Sequence, residues 1–209
     1  MLTLVRHGQS QAGDPDNPFP LVDGHGNPPL TDLGHAQAHA VGERLRTEPV
    51  DAIYATSLVR TQETAAPLAG HLGHEVRIER DLREVFLGEW EGGLFRKMIH
   101  DGTHPAIAEF RATGDWGAVP GAETNAELTE RCSAAARRIH DAHPDQHVVA
   151  FVHGGVIAAL LSVAARGVLA AIASADNGSI HRLCLTPEHW ILRGFNDTAH
   201  LGDVSTPSL

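Results

Sequence analysis

Three short stretches of this chain carry side chains that together would hold and attack a phosphoryl group. Arg6-His7-Gly8 closes an apolar run. A planar, permanently charged fork and an imidazole then stand side by side, ahead of a glycine that lets the backbone approach a ligand. Far along the chain, Phe151-Val152-His153-Gly154-Gly155 puts a second imidazole where a strand runs into a helix, and the free N–H groups of a helix N-terminus favour an anion. Arg60 lies between them, near the start of a predicted helix. Taken singly, RHG and HGG are common turn sequences and Arg60 reads as a solvated helix residue. In this order, two arginines and two histidines on three strand ends make a compact cationic pocket for one phosphate.

The elements that must position these residues are legible from periodicity. Residues 2–5 form a short β-leaning run, and the Gly, Pro, Asp and Asn of residues 13–29 read as a long loop. Thr31 is the predicted N-cap of a helix to residue 47, with apolar residues at helical spacing. Residues 51–55 are a second strand, ending at Thr56-Ser57 before a helix over 58–72 that carries Arg60 in its first turn. Residues 75–79 alternate as an edge strand, 82–93 are rich in turn residues, and 94–120 mix short helical patches with Gly and Pro. An amphipathic helix spans 125–140, with Leu128, Cys132, Ala135, Ala136 and Ile139 on one side. The strongest strand, 147–152, leads through Gly154-Gly155 into an apolar helix over 156–165. Strands at 179–185 and 190–192 close the chain as a hairpin around Thr186-Pro187-Glu188.

Strands alternating with helices imply βαβ crossovers. The expected fold class is therefore α/β, a three-layer sandwich with a mostly parallel central sheet. No repeat or linker divides the chain, so residues 1–209 are expected to form one domain with a small helical lobe around 94–120. In open α/β sheets ligands bind beyond the carboxyl ends of the strands. Arg6-His7-Gly8 and His153-Gly154-Gly155 both fall there.

Composition narrows the partners. Hydrophobic residues make up 42% of 209 and charged residues 20%, which suits one folded domain with a sizeable core. Asp plus Glu number 26 against 16 Lys plus Arg, a net charge of -10. Nucleic acid and anionic membranes both need a broad positive field, so neither is an expected partner, and an anion must be held by a local cluster. Lys97 is the only lysine beside 15 histidines, a bias that reads as compositional outside the pocket. His71 with His74 and His140 with His143 have i, i+3 spacing but no accompanying ligand set, so they read as solvated helix ends and no metal site is expected. Cys132 and Cys184 read as buried thiols, and Trp116 and Trp190 as packing residues. The N-terminus lacks the apolar core of a signal peptide, and no apolar run is long enough to span a bilayer, so a cytoplasmic location is expected.

With these motifs in place, the sequence resembles the histidine phosphatase superfamily, the phosphoglycerate-mutase-like fold. The resemblance runs through Leu4-Val5-Arg6-His7-Gly8-Gln9-Ser10, Leu30-Thr31-Asp32-Leu33-Gly34-His35-Ala36-Gln37-Ala38, Tyr54-Ala55-Thr56-Ser57-Leu58-Val59-Arg60-Thr61-Gln62-Glu63-Thr64-Ala65, Leu82-Arg83-Glu84 with Gly88-Glu89-Trp90-Glu91-Gly92, and Val152-His153-Gly154-Gly155. It implies that His7 is a nucleophile that becomes phosphohistidine. That role needs a ring nitrogen free of its proton, the other being held by a backbone carbonyl. Arg6, Arg60, His153 and Gly154 would bind the phosphoryl oxygens, and Glu84 would protonate the leaving alcohol and then activate water. Glu89 and Glu91 read as loop or lid residues. The resemblance implies no cofactor or metal, a small phosphate ester as substrate, and a monomer or homodimer.

Departures from the family pattern bear on the substrate. Family members often carry Asn three positions after the Ser of the first motif; here that position is Gly13. Gln9, Ser10 and Gly13 are candidate substrate contacts, joined by Asp23 and Gly24, which alignment on Leu30-Thr31 puts where the mutases hold substrate. The stretch between Glu84 and His153 is short and poor in Lys and Arg beside the mutases' substrate lobe, so a phosphatase is expected. Pro120-Gly121-Ala122-Glu123-Thr124 resembles a segment of the phosphatase branch, with Glu123 expected at the pocket rim. A phosphoglycerate mutase and a catalytically silent phospholigand-binding module stay open as alternatives.

Overall fold

Strand β1 (Leu2–Arg6) is buried over its first four residues, which requires cover on both of its faces. A computed structural model of the protein describes residues 1–13, 19–172, 175–186 and 188–206 and shows that cover. β1 pairs in parallel with β6 (Val148–Val152), β6 with β4 (Ala52–Ala55), and β4 with the edge strand β5 (Val76–Ile78). On the other side of β1, β7 (Ile180–Leu185) and β8 (Trp190–Asp197) add an antiparallel hairpin. The sheet order is β5-β4-β6-β1-β7-β8, mostly parallel as expected.

Successive strand residues face opposite sides of the sheet, and each set meets its own pair of helices. Val5, Ile53, Val149 and Phe151 pack on Val41 and Leu45 of α1 (Asp32–Leu45) and on Ala65 and Leu68 of α2 (Val59–Leu72). Leu4, Ala150 and Val152 pack on Leu128, Cys132 and Ile139 of α5 (Asn125–Ala142) and on Ile157 and Leu160 of α6 (Gly154–Ala165). Three layers follow directly from this alternation. Thr31 caps α1 through its side chain, accepting from the Gly34 N–H, and a capping box of Thr124 and Glu127 starts α5.

Between β5 and α5, α3 (Leu94–Asp101) and α4 (Pro105–Thr113) build a lobe with a small core of its own, Trp90, Ala106, Ile107 and Val119, against which Phe95 and Met98 pack. The loop expected over 13–29 contains a hairpin of β2 (Leu21–Val22) and β3 (His25–Gly26). Its turn residues, Asp23 and Gly24, have φ of 51° and 85°, the two left-handed positions that a tight Asp-Gly hairpin turn needs. Residues 14–18 of that loop, and Pro187 of the β7–β8 turn, lie outside the described residues.

Several expectations need correction. β8 runs on to Asp197 rather than stopping at 192, because its partner β7 continues opposite it. Cys132 is buried but Cys184 is only half-buried. His143 is not a solvated helix end: it is buried, hydrogen-bonded to the Tyr54 hydroxyl at 3.0 Å and to Gln146 Oε1 at 2.7 Å. No helix among the described residues is long and apolar enough to cross a membrane.

Candidate active site

The parallel pairing of β1 with β6 fixes two of the motifs next to each other, since Arg6 stands opposite Val152 and the two histidines follow directly. The His7 N–H donates to the Val152 carbonyl at 3.0 Å. The His7 and His153 rings meet edge to face, with centroids 5.1 Å apart. β4, the other neighbour of β6, ends at Ala55, and the chain turns there into α2, whose first turn carries Arg60. The N-cap residue of α2 is Leu58, which has no side-chain acceptor; Asn27 Oδ1 supplies it from the β3 side, accepting from the Val59 N–H at 2.8 Å. Arg60 in turn donates to the Gly26 carbonyl at 3.0 Å.

His7 is held in one protonation state by its surroundings. Its Nδ1 lies 2.7 Å from the Gly8 carbonyl, an acceptor, so Nδ1 carries the proton and Nε2 keeps its lone pair. Burial, and then the Arg60 and Arg6 guanidinium groups, push the ring's pKa well below its ordinary value, so it is neutral at physiological pH. Behind it, His153 is fully buried and is also held neutral, by burial and by Arg60. Its Nε2 lies 3.1 Å from the Thr56 hydroxyl, and its Nδ1 has no hydrogen-bond partner among the described residues.

The remaining charges are anchored in the same way. Arg6 donates to the Ala175 carbonyl, and the carboxylates of Glu84 and Asp176 partly offset the cost of burying its charge. Asn177 and the Gly178 N–H hold the His7 carbonyl at 3.0 and 3.3 Å. The Glu84 carboxylate sits at the N-terminus of α6, accepting from the Gly155 N–H at 3.1 Å and from Val85 N–H at 2.9 Å. A Cβ on Gly155 would lie 2.5 Å from Glu84 Oε1, so the second glycine of His153-Gly154-Gly155 makes room for that carboxylate. Arg6, His7, Arg60 and Glu84 all open onto one cavity of about 200 Å³.

A sequence model of the histidine phosphatase superfamily (branch 1) matches residues 2–198. The chain belongs to the histidine phosphatase superfamily. A phosphoglycerate mutase-like protein 4 of Arabidopsis thaliana is 32% identical over an alignment covering 97% of this chain and 87% of its own. A metal-independent phosphoserine phosphatase of the same plant is 28% identical, covering 97% and 84%. Among solved structures, a mycobacterial glucosyl-3-phosphoglycerate phosphatase superposes with a TM-score of 0.78 at 26% identity, covering 93% of this chain and 97% of that one.

In this member of the superfamily, the residues expected at the site divide into two groups. Arg6, His7, Arg60 and Glu84 line the cavity, as do Ser10 and Gly13. His153 backs it from behind His7, and Gly154 starts α6 beside Arg6. Gln9, Asp23 and Gly24 are not cavity residues. The Gln9 side chain takes a hydrogen bond from the Thr31 hydroxyl at 3.0 Å and so ties the first loop to α1. Asp23 turns outward to pair with Arg83 at 2.8 Å and Arg80 at 3.2 Å, and Gly24 packs on Phe86. Glu123 does not rim the cavity either; it pairs with Arg131 at 2.6 Å and braces the Phe86 N–H.

Other residues at the site escaped sequence reasoning. Glu91, expected in a loop or lid, lines the cavity and accepts from Gly26 N–H at 2.8 Å and Leu87 N–H at 2.9 Å, bridging the β2–β3 hairpin to the segment after Glu84. His25 stands between two carbonyls, those of Asp23 and Glu84, each 3.1 Å from a ring nitrogen. Phe95 and Arg96 reach the cavity from α3. The Asp-Gly turn was a visible signal for the hairpin that delivers His25 and Asn27; nothing in the sequence pattern pointed to Arg96.

Proposed function

We propose that this histidine phosphatase is a metal-independent phosphomonoesterase that hydrolyses a small phosphorylated metabolite through a phosphohistidine at His7. The observation that carries the reading is the state of His7. It is a neutral imidazole anchored through Nδ1–H to Gly8, set between the half-buried Arg6 and the buried Arg60, in a cavity whose other wall carries the Glu84 carboxyl group, which enters the cycle protonated. In the first step Nε2 forms a bond to phosphorus, the P–O bond to the alcohol breaks, and the alcohol oxygen takes a proton from Glu84. Arg6 and Arg60, with the His153 Nδ1–H and the Gly154 N–H beside them, meet the charge on the phosphoryl oxygens. In the second step water gives a proton to Glu84 and its oxygen to phosphorus, and the N–P bond breaks to restore His7. The Gly8 carbonyl supports the ring while it carries the phosphoryl group and a positive charge.

The phosphatase names among the relatives support phosphate release as the outcome, and the net charge of -10 supports a small ester over a nucleic acid or membrane partner. The test is phosphate release from p-nitrophenyl phosphate and a panel of metabolite esters in the presence of a chelator, by the parent and by His7→Ala. The parent should turn over and the variant should not. Conversion of 3-phosphoglycerate to 2-phosphoglycerate faster than phosphate release would make the protein a mutase. Binding of phosphate compounds without turnover of any ester would make it a phospholigand-binding module.

A further inference from the structure

Gly13 and Gly93 meet backbone to backbone at the cavity, which both of them line. A Cβ on Gly13 would lie 2.6 Å from the Gly93 Cα, and one on Gly93 would lie 2.8 Å from the Gly13 Cα. Main chain cannot yield to such a contact as the tip of a long side chain can. The contact joins the segment that follows His7 to the lobe of α3 and α4, which has its own cluster around Trp90 and Ile107. On the lobe side, Gly92 and Gly93 have φ of 70° and 99°, a route into α3 that glycine takes at least cost. The first turn of α3 then brings Phe95 and Arg96 to the cavity wall. The departure of position 13 from the family's usual Asn thus has a local cause, because lobe backbone fills the space that a side chain would take.

We propose that this contact makes position 13 specificity-determining: it seats the lobe on the segment after His7 and closes the leaving-group end of the cavity around a compact alcohol, with Phe95 and Arg96 as its wall. The inference rests on the phosphomonoesterase reading and narrows its substrate to phosphate esters of small alcohols. The cavity's volume of about 200 Å³ is below the roughly 300–1,000 Å³ usual for drug-sized ligands. Arg96 makes no hydrogen bond or ion pair with another described residue, which leaves its guanidinium to acceptor oxygens on the alcohol. Its charge is felt at both Arg6 and His7, so it stands close to the reacting end.

The test compares glycerol 3-phosphate with glucose 6-phosphate, both esters of primary alcohols, in the parent, Gly13→Ala, Gly13→Asn and Phe95→Ala. The parent should favour the glycerol ester in kcat/KM. Each variant should lower that preference by about 10-fold or more, in the range that misfit of a small group in a pocket produces. Inorganic phosphate should still inhibit every variant. A preference that stays within about 2-fold of the parent, or parallel loss of kcat/KM for both esters, overturns the inference while leaving the phosphatase reading intact. If thermal unfolding shows that the Gly13 variants do not fold, Phe95→Ala, which enlarges the same wall from the lobe side, decides alone. A parent that turns over no phosphate ester of any kind overturns the phosphomonoesterase reading instead.

Discussion

Lysine at position 60 would keep the charge and lose the fork. One Arg60 nitrogen is committed to the Gly26 carbonyl at 3.0 Å, which leaves the rest of the guanidinium for phosphoryl oxygens. A lysine ammonium must serve one or the other. A hydrogen bond to a charged group contributes about 1.5–3 kcal/mol, and about 1.4 kcal/mol is tenfold in rate. Arg60→Lys should therefore lower kcat/KM for p-nitrophenyl phosphate by about 10- to 150-fold and weaken inhibition by inorganic phosphate to a similar degree. Arg60→Met, which also removes the charge, should cost at least about 100- to 1,000-fold. Stability should move the other way. Burial brings the Arg60 pKa down to about 10, against the pull of Glu84 and Glu91, so holding that cation in the folded chain costs on the order of 3 kcal/mol at neutral pH. For a chain of this length 1 kcal/mol is roughly 2–4 °C. Arg60→Met should unfold several degrees higher than the parent, and added phosphate should raise the parent's Tm more than the variant's. Steady-state kinetics and thermal scans with and without phosphate measure both effects. An Arg60→Lys protein within about 3-fold of the parent, or an Arg60→Met protein that loses both activity and Tm, would rule out these roles for Arg60.

Three further outcomes follow from the same geometry. Glu84→Gln should lower kcat/KM, which reports the first half-reaction, by about 100- to 10,000-fold for alkyl phosphates but far less for p-nitrophenyl phosphate, because a nitrophenolate leaves without a proton, while kcat falls on both through the shared water step; equal losses of kcat/KM on both would remove Glu84 from the acid role. Burial, reinforced by Arg6, depresses the His181 pKa to about 3, so between that value and the ordinary 6.5 the unfolded chain binds a proton that the folded chain excludes. Tm should then fall as the pH drops from about 6.5 towards 3 and stay level just above 6.5, with His7 and His153 contributing in the same direction, and His181→Phe should flatten the curve; a variant curve parallel to the parent's would contradict this. Asn27→Ala removes the acceptor that caps α2, which should cost about 0.5–2 kcal/mol and raise KM by loosening Arg60, whereas Asn27→Asp should retain both; thermal scans and KM values for the three proteins check it.

The sheet and its helices were legible because each carries a strong local signal. Apolar alternation and 3.6-residue periodicity fixed β1, β4, β6, α1, α2 and α5 to within a few residues, and Thr31 was found as a cap because its side chain does what its position predicts. The residues that touch phosphorus or its oxygens in the proposed mechanism were legible for a related reason: strand ends and helix starts are where an α/β sheet gathers a site. What stayed hidden depends on contacts between distant segments. Alignment by sequence put Asp23 at the substrate, yet the hairpin turn aims it at Arg80 and Arg83. Glu91 looked like a loop carboxylate until Gly26 and Leu87 supplied its two donors. Gly13 read as a candidate substrate contact, whereas it also meets the Gly93 backbone of the lobe, an approach that no pattern of side-chain types can display.

In the proposed mechanism His7 Nε2 carries the phosphoryl group between the two half-reactions. Quenching the enzyme in alkaline detergent within milliseconds of mixing with a radiolabelled phosphate ester shows whether it does. The label should be trapped on protein in a bond that is labile to acid and stable to base, should map to the peptide containing His7, and should be absent from His7→Ala. An actively hydrolysing preparation that traps no label, or traps it on another residue, would contradict the account.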